Sequence, residues 1–157
     1  PLPAAPLAAA RAAGRPVNVE TLESKLEEIR IQNDLVLIEG AGGLCVPFAE
    51  GLLWSDILSR WGPDCLIVGR LGLGTVNHTL LTAQALRRAD LLILSIILNG
   101  LLGPTAEAVQ TPPLIAEFAG VDIGAVIPFG ATAPEQVATL LAESGLIAAL
   151  TSRYKTG

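Results

Sequence analysis

One histidine and two cysteines are the only imidazole or thiol metal ligands in this 157-residue chain. Neither Cys45 nor Cys65 has a Cys or His partner at metal-ligand spacing, which argues against a zinc site. Both thiols are expected to be buried, in a reducing compartment such as the cytoplasm. Charge is also sparse. Only 16% of residues are charged and the net charge is −5. The scattered Lys and Arg leave no electrostatic footprint for nucleic acid. No uncharged stretch exceeds 16 residues, and the most apolar of that length, Leu91 to Ala106, is interrupted by Asn99, Gly100, Gly103 and Pro104. It is too short and too broken to span a bilayer, so no membrane association is expected. No positively charged segment with an apolar core opens the chain, so no secretory signal is expected either. Internal repeats and low-complexity linkers are also missing. Against these absences stands a 51% hydrophobic content, enough to bury a normal core, so a single soluble domain over residues 1–157 is expected.

Strand and helix patterns alternate along that domain. Asn18 is a candidate N-cap for a helix over about Val19–Ile31, with Leu22, Leu26 and Ile29 as its buried stripe. Leu35–Glu39 reads as a strand. A short helix follows near Trp54–Trp61, then a strand over Cys65–Val68 after the Gly62-Pro63 break, and a helix from Thr75 or Asn77 to about Arg88. Leu91–Leu98 is rich in β-branched residues and reads as a strand. Pro112-Pro113 is expected to start a helix ending at Gly120. Ile123–Ile127 is a further strand, and Ala133–Leu150 a last helix with Pro134 in its first turn. The Ala/Pro-rich opening becomes helical around Leu7–Ala13. Strands separated by helices of 10 to 15 residues imply an α/β fold, a parallel sheet with helices on both faces.

Function is written most densely in Leu35-Val36-Leu37-Ile38-Glu39-Gly40-Ala41-Gly42-Gly43. Four apolar residues without polar alternation read as a strand buried on both faces of a parallel sheet, and ligands gather where such strands end. Glu39 stands at that exit. The glycines after it remove side chains that would keep a polyanion away from backbone N–H groups. Alternatively the segment is a tight turn beside an ordinary exposed glutamate. Gly69-Arg70-Leu71-Gly72-Leu73-Gly74-Thr75-Val76-Asn77 is a second glycine-rich run, where Arg70 could touch an anion. It lacks the Lys followed by Ser or Thr of a phosphate-cradling loop, and G-x-x-x-x-G-K-[ST] occurs nowhere in the sequence. A phosphate-binding parallel sheet usually carries that motif after its first strand. Because the chain opens on Pro1 and not Met, residues 1–157 are expected to be the C-terminal portion of a larger domain, with that strand and loop outside it.

Taken in order, Ala5-Pro6-Leu7-Ala8-Ala9-Ala10, Glu39-Gly40-Ala41-Gly42-Gly43 with Pro47, Leu73-Gly74-Thr75-Val76-Asn77-His78 leading into Leu80-Leu81-Thr82-Ala83, the strand ending in Asn99, and Ile127-Pro128 make the chain resemble dethiobiotin synthetase over essentially its whole length. The resemblance implies a three-layer, P-loop NTPase-like fold and a cytoplasmic homodimer in biotin synthesis. That dimer would close the ureido ring of dethiobiotin from 7,8-diaminononanoate, CO2 and ATP with Mg2+. It assigns Glu39 to Mg2+, a hard cation that takes one or two carboxylates beside phosphate oxygens and water. Gly40, Ala41, Gly42 and Gly43 match the loop approaching substrate and phosphate. Leu73, Gly74, Thr75 and Asn77 match the segment that binds the diamino acid's carboxylate from the neighbouring subunit, where a helix N-terminus suits an anion. Asn99 matches the residue that reads adenine through its amide, and Pro128 lines the same site. Without the resemblance, Leu73–Asn77 is an N-capped helix start and Asn99 a turn residue before Gly100. His78, one turn into its helix, reads as a packed residue and not a catalyst.

The family's phosphate-cradling loop and its later lysine would lie in the missing N-terminal part. The transferring phosphoryl group needs that cationic clamp, so the chain alone is expected to be inactive. Two alternatives remain: a cobyrinic or cobyric acid synthase-type enzyme, and a non-catalytic nucleotide-binding relic. The Leu73–His78 segment and the lack of a following amidotransferase domain speak against the first.

Overall fold

The Asn18 side chain accepts the backbone N–H of Thr21 at 2.7 Å and so starts the helix that the sequence places there. The computed structural model of the protein describes residues 4–101, 106–131 and 133–154, and the chain divides into two compact units, Pro1–Gly62 and Pro63–Gly157.

The first unit holds helices α1 (Pro6–Ala12) and α2 (Val19–Gln32), the antiparallel strands β1 (Pro47–Ala49) and β2 (Leu52–Leu53), and helix α3 (Trp54–Trp61). The Asp56 carboxylate accepts the Leu53 N–H at 2.7 Å at the start of α3. Gly62, at φ 61°, ends it in the left-handed conformation that glycine reaches without strain. Val19, Ala49, Trp54 and Ile57 form the core of this unit, with Phe48 and Trp61 packed against it. The Trp54 ring lies 4.9 Å from Phe48 and meets Trp61 edge-on at 5.6 Å. On α2 only Leu26 of the expected stripe is buried, while Leu22 and Ile29 remain exposed.

The expected strand at Leu35–Glu39 does not form. The segment is irregular, and Leu35 and Leu37 are exposed. A strand is defined by its ladder. Among the described residues, β1 and β2 pair only with each other and no strand pairs with 35–39.

The second unit is a three-stranded parallel sheet flanked by helices, hence of the α/β class. Its strands β3 (Cys65–Arg70), β4 (Ile93–Leu101) and β5 (Ile123–Pro128) lie in the order β3-β4-β5. Each extends beyond the sequence-derived bounds at its carboxyl end. Helix α4 (Thr75–Arg88) follows β3 and α5 (Ala106–Ala119) follows β4. Pro112 and Pro113 lie inside α5 and do not start it. Each removes one backbone donor, yet Thr111, Ile115 and Ala119 recur every fourth residue and are all buried, so packing holds the helix through that loss. The Arg87 guanidinium donates to the Ala119 carbonyl and ties the end of α4 to that of α5. The single last helix expected from the sequence is two, α6 (Pro134–Glu143) and α7 (Leu146–Tyr154). Gly145, at φ 78°, breaks them apart. Of the two thiols expected to be buried, Cys45 is exposed and Cys65 half-buried. Burial, and then the nearby Asp64 charge, push the Cys65 thiol up.

Asp64, just before β3, anchors α7. Its Oδ2 accepts Arg153 Nε at 2.8 Å and the Tyr154 hydroxyl at 2.6 Å. These hydrogen bonds, Arg153 first, hold its carboxyl below the ordinary aspartate range. A depressed folded pKa adds stability above the unfolded pKa, and that stability is lost as pH falls through the folded one. Asp64→Asn is therefore expected to cost about 1 kcal/mol at pH 7, with the difference between variants vanishing in acid. Urea midpoints at neutral and acid pH check this, and a pH-independent difference would contradict it.

Candidate functional site

The carboxyl edge of the parallel sheet brings two of the candidate residues together. In parallel pairing, partnered residues put their side chains on the same face. The register runs unbroken from Leu66↔Ser95 to Arg70↔Asn99, and Asn99 in turn pairs with Ile127. Arg70, Asn99 and Ile127 thus form a row across the ends of β3, β4 and β5, and Pro128 pairs with Leu101 past a register irregularity that follows Asn99. Arg70 is the last residue of β3 and not part of the loop. On the opposite face, a Cβ on Gly69 would lie 3.2 Å from Thr79 Oγ1 of α4, so glycine lets the helix sit close to the strand. The Asn99 carbonyl accepts the Leu71 N–H at 2.7 Å, which fixes the backbone. Its carboxamide is exposed and has no hydrogen-bond partner among the described residues. Beyond Pro128 the chain turns through Gly130 at φ 86°, with the Ala131 N–H on the Pro128 carbonyl and Phe129 exposed at the surface. Nothing in the sequence pattern marks Phe129 as part of this edge.

The segment after β3 forms the start of α4. Gly74 occupies the N-cap position at φ 88°, a conformation L side chains rarely adopt, and no side chain caps the helix. The Thr75 N–H donates to the Gly72 carbonyl at 3.0 Å and the His78 N–H to the Gly74 carbonyl at 3.0 Å. The N–H groups of Val76 and Asn77 have no backbone acceptor among the described residues. They are the donors a helix N-terminus offers to an anion. The four candidates here differ in position: the Thr75 side chain is buried, whereas Leu73, at 94% exposure, and Asn77 face solvent. His78, expected to be packed, is exposed, with its imidazole Cε1 3.4 Å from where a Cβ on Gly74 would stand.

The Glu39 loop belongs to the first unit. Glu39 is exposed and makes no ion pair or hydrogen bond among the described residues. Gly40 is the tight point: a Cβ there would overlap the Trp54 indole Nε1 and lie 2.9 Å from Cδ1. Gly42 adopts φ 90° and passes 3.0 Å from Val46 Cγ2 on the same measure, whereas Gly43 has open space around it. Two of the three glycines therefore answer to local packing and turn geometry. Spacing alone does not reveal the Gly40–Trp54 contact. Among the described residues no group of three or more His, Cys, Asp or Glu could hold a metal ion. A lone exposed carboxylate still fits a cation that takes its remaining ligands from water and phosphate.

The family described as AAA domain matches residues 2–135. The chain is 38% identical over 120 residues to the ATP-dependent dethiobiotin synthetase BioD of Aquifex aeolicus, which covers 76% of this chain and 54% of that protein. It is 35% identical over 127 residues to the protein of the same name from Bacillus licheniformis, covering 80% and 54%. With that of Methanocaldococcus jannaschii it shares 36% over 102 residues, covering 62% and 48%. The chain spans about half the length of these curated relatives.

Proposed function

The chain belongs to the AAA domain family, and from that membership together with its similarity to ATP-dependent dethiobiotin synthetases we propose that it is the nucleotide- and substrate-positioning part of such an enzyme. The reaction proposed is ring closure of 7,8-diaminononanoate with CO2, driven by ATP and Mg2+. The observation that carries the reading is the pairing at the sheet's carboxyl edge. There an exposed, unengaged Asn99 carboxamide stands beside Ile127, one step from Pro128, where ligands of open α/β sheets bind. Its donor and acceptor match the N6 and N7 edge of adenine. Glu39 would hold Mg2+, which when bound offsets charge on phosphate oxygens. Gly40 to Gly43 carry the backbone past substrate and phosphate. The free N–H groups at the start of α4 receive a carboxylate from the neighbouring subunit's substrate.

Carbamate formation, its phosphorylation and ring closure then need orientation and electrostatics more than covalent protein chemistry. In this reading residues 1–157 act as one domain, the C-terminal portion of the enzyme, and are inactive alone. The whole protein is a cytoplasmic homodimer that meets neither nucleic acid nor membrane. No helix among the described residues is long and apolar enough to cross a membrane.

Asn99→Ala is the direct test. Loss of a bidentate amide contact is worth about 1–3 kcal/mol of base discrimination, so ATP binding should weaken relative to GTP by roughly 5- to 150-fold. Calorimetry with both nucleotides on both variants reads the ratio. An unchanged ratio would make Asn99 a turn residue and remove the main support for the nucleotide site.

A further inference from the structure

We infer that Arg70 is an oxyanion-positioning residue at the carboxyl edge of the sheet, holding a phosphate or carboxylate group of the ligand bound beside Asn99. The inference rests on the nucleotide and substrate reading above and adds a residue to it.

Register supplies the geometry. Arg70 pairs directly with Asn99 in an unbroken stretch of ladder, so the two side chains leave the same face at adjacent strand ends, about 4.8 Å apart in the backbone. At β3 that face is open, since Val68, two residues back on it, is 64% exposed, whereas Ile127, at the β5 end of the same row, is buried. Charge supplies the chemistry. Arg11, Arg60 and Arg153 are engaged by Glu50, Glu23 and Asp64, and Arg30 and Arg87 donate to carbonyls. Arg70, like Arg15 and Arg88, has neither an ion pair nor a side-chain hydrogen bond among the described residues, and of these three it alone stands at the carboxyl end of a strand. Its strand is rigidly paired, and the Leu71 N–H bond to Asn99 fixes the backbone beyond it. A guanidinium on such a support presents a planar fork suited to carboxylate and phosphate oxygens.

The test uses the complete protein with Arg70 unchanged, Arg70→Lys and Arg70→Gln, and measures by calorimetry the Kd of ATP, adenosine and 7,8-diaminononanoate. Arg70→Gln should weaken one anionic ligand about tenfold or more. Arg70→Lys should recover part of the loss, and adenosine should bind as before. Loss confined to ATP identifies a phosphate as the partner, and loss confined to the diamino acid identifies its carboxylate. Unchanged affinities for all three overturn the inference and leave the nucleotide reading standing. Equal loss for all three, adenosine included, overturns it in favour of a merely structural arginine. Failure of the unchanged protein to bind either ATP or the diamino acid defeats the reading of function, and the inference with it.

Discussion

Glu39→Gln in the complete protein is expected to lower turnover roughly 100-fold and to move the Mg2+ titration to higher concentration. The substitution keeps the side chain's shape and removes its charge. Glu39 is exposed and makes no bond among the described residues, so the fold has no reason to respond and thermal unfolding should be unchanged. Turnover measured across a Mg2+ series separates the two effects, and an unshifted titration removes Glu39 from the metal. The same variant tests the proposal that two subunits share the site. Gly74→Trp combined with Asn77→Ala blocks the start of α4, where Gly74 has φ 88° and no L residue fits without strain. Each homodimer should be nearly inactive. A mixed dimer of the two variants should regain one intact site of two, because each subunit supplies what the other has lost. No recovery in verified mixed dimers would mean that both segments serve the same subunit's site.

The largest effect on stability is expected around Gly40. In the native background Gly40→Ala drives a methyl into the Trp54 indole, and overpacking of this kind costs about 1–3 kcal/mol. Trp54 is itself 8% exposed and packs against Phe48 and Trp61, so Trp54→Ala should cost about 3–5 kcal/mol. The two costs should not add. With the indole removed, position 40 has room for a Cβ, and its backbone is not among the positive-φ glycines. Alanine there narrows the unfolded ensemble and should be neutral or stabilising by about 0.4–1 kcal/mol. A denaturant-unfolding cycle over the four variants reads this change of sign. An equal cost of Gly40→Ala in both backgrounds would show that the loop gives way and that the Trp54 contact does not constrain it.

Much of the secondary structure was legible in the residues because its signals are local. Asn18 as a cap, Gly62 as a helix end and the β-branched run before Asn99 each act within a few residues, and helices and strands appear where those signals place them. The signals misled where a distant partner decides. Leu35–Ile38 has the composition of a buried strand, but composition cannot supply the neighbouring strand whose ladder would make it one. Pro112-Pro113 reads as a helix start, but burial of Thr111, Ile115 and Ala119 against the rest of the unit carries the helix through both prolines. Gly145 looks like one more residue of a long amphipathic helix until its backbone turns left-handed.

The same division applies to the candidate site. By itself the sequence determined the α/β class and marked Glu39 at an expected strand exit before glycines, because such signals are written in nearest-neighbour chemistry, while Gly74, Asn77, Asn99 and Pro128 became candidates through the family resemblance. Only the tertiary structure decided that Arg70 ends a strand beside Asn99, that Thr75 turns inward, and that Gly40 is reserved for the Trp54 ring. Each of these depends on ladder register or on contact between residues far apart in the chain, and those are settled only when the whole unit packs.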